Sequence, residues 1–252
     1  MATGLPVAAV TFDPHPRIAL GNHVELISTL ERRLELLAAL GVGETRVVHF
    51  TPETASLEPE RFVERELRPL DVSVVVAGPD FRFGHRRRGD LELLRSLGIE
   101  AIAVDPEPGV SSTAIRHALR DGDVVVAAVM LGRPYELDGT VVAGDQRGGT
   151  LGYPTANLAI PAGVLVPSYG IYAGAALDHR AAVSVGMNPH YGGEERRIEP
   201  YLLDFDGDLY GRRLVVELWR RLRDERAFES EQALIEQIAR DVDATRAATR
   251  PI

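Results

Sequence analysis

The 252-residue chain contains no cysteine. Disulfides, thiol catalysis and cysteine-held zinc are thereby excluded, and a reducing, cytoplasmic setting is the expectation. A basic excess is also missing: 28 Lys and Arg stand against 37 Asp and Glu, a formal net charge of −9. Proteins that coat nucleic acid neutralise its phosphates with surplus cations, so no nucleic-acid partner is expected. A single nucleotide needs only local positive charge and is not excluded. No apolar run approaches the roughly 20 residues that cross a bilayer, so no membrane partner is expected. The opening Met1-Ala-Thr-Gly-Leu-Pro6 has neither the charged start nor the long apolar stretch of a signal peptide. Internal repeats and low-complexity tracts are absent too. With 45% apolar and 26% charged residues, the chain has material for one large or two modest packed domains.

The stretch richest in chemistry is Gly144-Asp-Gln-Arg-Gly-Gly-Thr-Leu-Gly-Tyr-Pro-Thr-Ala-Asn157. Glycines let backbone N–H groups approach a phosphate closely. The Thr155 hydroxyl and Asn157 amide, two residues apart, can both offer oxygen to a hard cation. Glu199 follows in a later apolar strand and can take a proton from an attacking alcohol. Together these point to phosphoryl transfer, without the Lys-Ser/Thr ending of a P-loop. Each residue also has a plainer reading: Asn157 as a turn former, Glu199 as a solvated strand carboxylate, Arg147 as a solvated loop charge.

The first half alternates strands, at residues 7–11, 46–50, 72–77 and 99–104, with helices at 29–40, 59–69, 91–97 and 113–119. Ser28 and Glu31 have capping-box spacing, Leu30, Leu34 and Leu37 form a stripe, and Gly41 closes the end. Pro59 opens the next helix and Ser112 caps the last. Residues 72–77 are apolar almost throughout, as expected of a strand covered on both faces. This rhythm implies a parallel, doubly wound sheet. It changes near Leu131-Gly-Arg-Pro134. Strands then follow at 135–142, 155–160, 170–177, 181–185, 198–205 and 214–222, the pattern of an antiparallel barrel or sandwich. A helix at 231–247 carries Leu234, Ile235, Ile238 and Val242 on one face. The domain boundary is placed near Gly132, giving domains 1–131 and 132–252.

These residues also form a known order of motifs. Gly152-Tyr-Pro-Thr-Ala-Asn157, Gly186-Met-Asn-Pro189, Leu202-Leu-Asp-Phe-Asp-Gly-Asp-Leu-Tyr-Gly211, Arg223-Asp-Glu-Arg-Ala-Phe228 and Gln237-Ile-Ala-Arg-Asp241 lie in the second half. Thr11-Phe-Asp-Pro-His-Pro16, Gly78-Pro-Asp-Phe-Arg-Phe-Gly84 and Ser111-Ser-Thr-Ala-Ile-Arg116 lie in the first. In this order they resemble the prokaryotic bifunctional riboflavin kinase/FAD synthetase family over nearly the whole chain. The resemblance implies an α/β Rossmann-like nucleotidyltransferase domain, incomplete at its N-terminus, followed by an antiparallel β-barrel riboflavin kinase domain with a C-terminal helix. It implies transfer of the γ-phosphoryl of ATP to the 5′-hydroxyl of riboflavin, giving FMN. By carry-over, Thr155 and Asn157 help hold Mg²⁺ with the nucleotide, and Glu199 is the general base. Gly144, Arg147 and Gly148 belong to a flap over the phosphates, Asn188 is a cofactor-binding residue, and Arg223 lies near the flavin. In the front module, Asp80, Phe81 and Arg82 match the flavin-contacting stretch, and Ser111, Ser112, Thr113 and Arg116 match a nucleotide-binding motif.

The family's Gly-x-Phe-Asp-Gly-x-His-x-Gly-His segment is not found in the sequence. Its absence removes the principal phosphate-binding element of the adenylyltransferase and a strand that the family places centrally. Adenylylation of FMN to FAD is therefore expected to be absent or weak. The neighbouring strands are expected to expose unpaired edges. Smaller departures are Gly149, where a basic residue is common, and Met187 and His190, where threonines are common. Pro200 directly follows the proposed base and removes a ladder donor, which places its strand at an edge or bulge. His85-Arg-Arg-Arg88 reads as an exposed loop, and Asp204, Asp206 and Asp208 read as hairpin turn formers. The rival readings are a non-catalytic flavin- or nucleotide-binding regulatory protein and an unrelated nucleotidyltransferase acting on another small alcohol.

Overall fold

The computed structural model describes residues 4–144, 152–188 and 195–252. Packing divides the chain into two compact units, Met1–Val24 with Leu30–Pro108, and Glu25–Thr29 with Gly109–Ile252. The change of element type near Gly132 and the packing boundary differ, because residues 109–131 pack with the second unit.

The first unit runs β1 (Ala8–Asp13), α1 (Pro16–Ala19), α2 (Leu30–Ala39), β2 (Glu44–His49), α3 (Pro52–Ala55), α4 (Pro59–Phe62), β3 (Val74–Ala77), α5 (Leu91–Ser96) and β4 (Glu100–Ala103). Helix α2 ends as its sequence dictates: Gly41 takes φ +86°, its N–H donates to Ala38 at 2.9 Å, and Val42 N–H donates to Leu37 at 3.1 Å. This is a Schellman motif. Pro59 opens α4, which loosens into a π turn at Val63–Leu67 and then a short 3-10 turn at Arg68–Leu70. Strand β1 pairs in parallel with β2, and β3 in parallel with β4.

The parallel pairing expected of a doubly wound sheet is present, but in two separate two-stranded pieces. Among the described residues no strand joins β1 to β3. The expectation that residues 72–77 are covered on both faces therefore fails. Val76 is 59% exposed and borders a cleft. The core is aromatic, with rings in contact from Phe50 through Phe12, Phe62 and Phe83 to Phe81 at centroid separations of 5.6 to 6.3 Å. Such pairs add stabilisation beyond simple burial.

The second unit begins with α6 (Ser112–Arg120) and α7 (Val124–Leu131). Ser111, not Ser112, caps α6: its hydroxyl accepts the Ala114 N–H at 3.1 Å. Helix α7 forms against its local propensity, since three successive valines disfavour a helix. Asp123 caps it, and burial of Val124, Ala127 and Ala128 overrides the propensity. Strands β5 (Tyr135–Val142), β6 (Asn157–Ala159), β7 (Gly170–Ala176), β8 (His179–Asn188), β9 (Glu195–Leu202) and β10 (Arg213–Arg223) follow, then α8 (Glu231–Ala247). The strand order is β6-β5-β10-β7-β8-β9, antiparallel throughout. The two end strands meet where Ala156 N–H donates to the Pro200 carbonyl at 3.0 Å, so the sheet curls into a nearly closed barrel. Pro200 thus lies on an end strand, where its missing donor costs little.

Tyr135, Leu137, Tyr172, Val183, Val185, Val216 and Leu218 fill the barrel with no exposed surface. Each such Val or Leu contributes about 1.5–3 kcal/mol of burial. The Glu25–Thr29 segment straps across this unit. Leu26 bridges Val164, the Arg116 guanidinium donates to the Glu25 carbonyl at 2.7 Å, and the Thr29 hydroxyl donates to buried Asp138, which Arg213 also grips at 2.7 and 3.0 Å.

Candidate active site

The site is built at the barrel seam. Register pairs Val142 of β5 with Asn157 of β6 and Ser184 of β8 with Glu199 of β9. The Ala156–Pro200 hydrogen bond then sets β6 beside β9. Side chains alternate along a strand. Leu158 on β6, and Ile198, Pro200 and Leu202 on β9, are buried inward. Asn157 and Glu199 take the other parity and are half-buried, so both face outward on either side of the seam. Thr155, two residues before Asn157, is half-buried at the entry to β6. Three residues separated by as many as 44 positions are therefore brought to one place by a single backbone closure.

Gly144 belongs to the same place. A Cβ there would fall 1.8 Å from Asn157 Nδ2 and 2.4 Å from its Cγ. Only a glycine lets the backbone lie against that amide. Near Glu199, Arg197 Nη1 lies 3.9 Å from Oε1, and both side chains are about one-third exposed. At this separation and exposure the attraction is modest. A cavity of about 250 Å³ adjoins the seam, bordered by Thr155, Pro200, Leu202, Phe205, Asp206 and Tyr210 among others. Glu199 is not part of its lining.

The donor set at the seam is a hydroxyl and an amide oxygen, both hard and neutral. No cluster of three or more His, Cys, Asp or Glu suited to a metal occurs among the described residues. Such a set fits a divalent cation that keeps most of its shell as phosphate oxygens and water, and does not fit one caged by protein.

The remaining sequence-derived residues are distributed as follows. Arg147 and Gly148 lie outside the described residues, as does Gly149. Asn188 ends β8 opposite Glu195. The Arg223 guanidinium is clamped by Asp241 at 2.7 to 3.0 Å and packs over Phe228. That contact explains why the Arg223–Phe228 and Gln237–Asp241 motifs occur together. Ser112 and Thr113 are exposed on the first turn of α6, and Arg116 is spent on the Glu25 and Ser112 carbonyls. In the first unit Asp80, Phe81 and Arg82 line a second, larger cleft, with Arg82 donating to the Phe81 carbonyl at 2.8 Å. Asp208 accepts the Tyr210 N–H at 2.9 Å, as a turn former does. Asp204 sits at φ +58° and pairs with Arg246. The lining role of Phe205 and Tyr210 was not legible in the sequence, since it depends on where the β9–β10 connection folds back.

The riboflavin kinase family model matches residues 131–249, and the FAD synthetase model matches residues 1–114. A bifunctional riboflavin kinase/FMN adenylyltransferase of Listeria monocytogenes is 36% identical, with 97% of this chain and 82% of the relative covered. The protein of that description from Bacillus subtilis is 35% identical, with 94% and 81% covered. The one from Escherichia coli K12 is 36% identical, with 94% and 80% covered. A solved Streptococcus pneumoniae structure, described as a macrolide-efflux protein, matches with TM-score 0.84 at 35% identity over 96% of this chain and 84% of its own. Among the described residues of this chain no helix is long and apolar enough to cross a membrane. By two family matches in the expected order and by relatives aligned over most of their length, the chain belongs to the bifunctional riboflavin kinase/FMN adenylyltransferase family.

Proposed function

We propose that the barrel, within a kinase domain at 132–252, is an ATP-dependent riboflavin kinase of the cytoplasm. The observation that carries this reading is the Ala156–Pro200 closure, which sets the oxygen donors Thr155 and Asn157 beside the carboxylate of Glu199. In the reaction, the riboflavin 5′-oxygen attacks the γ-phosphorus of ATP. The bond from that phosphorus to the bridging oxygen breaks, ADP leaves, and the hydroxyl proton passes to Glu199. Phosphoryl transfer asks mainly for alignment and charge neutralisation. Mg²⁺ held with ATP by Thr155 Oγ1 and Asn157 Oδ1 would supply that neutralisation. Gly144 keeps the Asn157 amide in place. Arg147, Gly148 and Asn188 are assigned to the nucleotide side by motif. Arg223, fixed by Asp241, is assigned to the flavin side.

The second family activity joins FMN to the adenylyl group of ATP, releasing pyrophosphate. Asp80, Phe81 and Arg82 are assigned to its flavin side, and Ser111, Ser112, Thr113 and Arg116 to its nucleotide side. Weak adenylylation by the chain as given is the proposal, supported by β1 and β3, which no described strand joins.

The test is incubation of the full chain with riboflavin, ATP and Mg²⁺, followed by separation of FMN from FAD. FMN should accumulate with little FAD. Glu199→Gln should lower FMN formation about 10²–10⁴-fold while riboflavin binding persists. Retained turnover in that variant removes Glu199 as the base. FAD formed as fast as FMN removes the proposal of weak adenylylation.

A further inference from the structure

We propose that Asp241 of α8 is a positioning residue of the kinase. It holds Arg223, and with it the turn that follows β10, against β8, and so sets the affinity for riboflavin rather than the rate of phosphoryl transfer. This role rests on the kinase reading of the barrel.

The two buried residues of α8 are polar, Asp241 and Thr245, while Leu234, Ile235, Ile238 and Val242 stay half-buried. A helix docked for stability alone buries its apolar stripe deepest, and an apolar pair of similar volume often equals or exceeds a buried ion pair in stability. The Asp241 carboxylate is nevertheless engaged at both oxygens. Arg223 Nε donates to Oδ1 and Oδ2, each at 3.0 Å, and Nη2 donates to Oδ2 at 2.7 Å. Gln237 Nε2, one turn earlier in α8, donates to Oδ1 at 2.8 Å. Such two-point contact fixes both the place and the plane of the guanidinium.

The anchored guanidinium shapes the segment that follows it. Arg223 Nη1 donates to the Asp224 carbonyl at 2.9 Å, the Asp224 carboxylate pairs with Arg221 at 2.9 Å, and the Arg223 and Arg226 guanidiniums both pack on the Phe228 ring. Braced in this way, the turn brings the Glu225 carboxylate onto β8. A Cβ at Gly186 would fall 2.5 Å from Glu225 Oε1 and 3.2 Å from Oε2. Gly186 pairs with Arg197, and Ser184 with Glu199. Residues two apart on a strand share a face. Glu225 therefore lies over the outward face from which Glu199 emerges, at the position diagonal to it, where neighbours are about 7–8 Å apart. Asp241 is tied through one arginine to the side of the seam where a hydroxyl-bearing substrate meets the base. Among the described residues its own hydrogen bonds go to Arg223 and Gln237, and none goes to Thr155, Asn157 or Glu199. Loss of its charge thus loosens the flavin side and leaves the phosphoryl side standing.

The test is steady-state FMN formation by the full chain, with riboflavin and ATP varied in turn. In Asp241→Asn the KM for riboflavin should rise about tenfold or more, with kcat within about threefold and the KM for ATP nearly unchanged, the pattern of lost substrate binding. Arg223→Gln should raise the same KM, and adding Asp241→Asn to it should raise it no further, because residues that act through one contact are not additive. Gln237→Leu removes one donor to Asp241 at a half-buried position and should raise the riboflavin KM about threefold; it decides the matter if Asp241→Asn does not fold. A fall in kcat at unchanged riboflavin KM in Asp241→Asn overturns the proposal, as do additive effects of Asp241→Asn and Arg223→Gln. So does a riboflavin KM that stays unmoved in Asp241→Asn, or in Gln237→Leu where Asp241→Asn is unfolded. No FMN from the unaltered chain ends the kinase reading itself, whereas normal FMN formation with unmoved KM in the variants ends only the role of Asp241.

Discussion

Val183 in the barrel has no exposed surface, and Val76 in the first unit is 59% exposed. Both belong to strands rich in small and branched apolar residues, so composition does not separate them. Closure does. The six strands of the barrel return on themselves through the Ala156–Pro200 hydrogen bond, and every inward side chain acquires neighbours. The two parallel pairs of the first unit stop short of each other, and the residues between them stay half-wet. Burial is thus a property of sheet topology before it is a property of sequence. The better-formed candidate site lies in the unit whose sheet closes.

Core truncation should widen this contrast most. Leu218→Ala, at a fully buried barrel position, should cost about 2–5 kcal/mol, whereas Val76→Ala should cost less than about 0.5 kcal/mol. Chemical denaturation of both variants reads the difference, and equal losses would mean that the cleft is filled in solution. Next comes Gly144→Ala. Its Cβ collides with the Asn157 amide, and a displacement of this size can lower turnover about 10²-fold. FMN formation should fall while the unfolding of the first unit is unchanged.

Tyr135→Phe tests how far barrel stability depends on paired polar groups. Its buried hydroxyl donates to the Leu165 carbonyl, and burial pushes the phenol's pKa up, so the donor stays protonated across the neutral range. Losing it should cost about 1–3 kcal/mol, read by the same denaturation. The smallest effect is expected at Asp204, where hydrogen bonds from Arg246 hold the carboxyl below the usual range. A lowered folded-state pKa stabilises above the ordinary carboxylate range and is lost as pH falls through the lowered value. Asp204→Asn should slightly flatten the acid limb of a Tm-against-pH curve and leave neutral pH nearly unchanged.

The sequence alone determined the elements whose signals are local. The short spacing of successive strands marked the barrel, Gly41 and Pro59 marked helix ends, and the terminal helix fell at Glu231–Ala247 as its apolar face required. It also carried the oxygen donors and the carboxylate as residue types in a known order. Tertiary structure decided what depends on distant partners. It buried the valine-rich α7 against its propensity, drew the Glu25–Thr29 strap onto the second unit, and moved the cap of α6 to Ser111. It also set Thr155, Asn157 and Glu199 on one seam, and left β3 open on a side that its apolar run would have hidden. The physical reason is range: propensity and capping act within a few residues, whereas burial and edge pairing depend on which strands, remote in the chain, come to lie side by side.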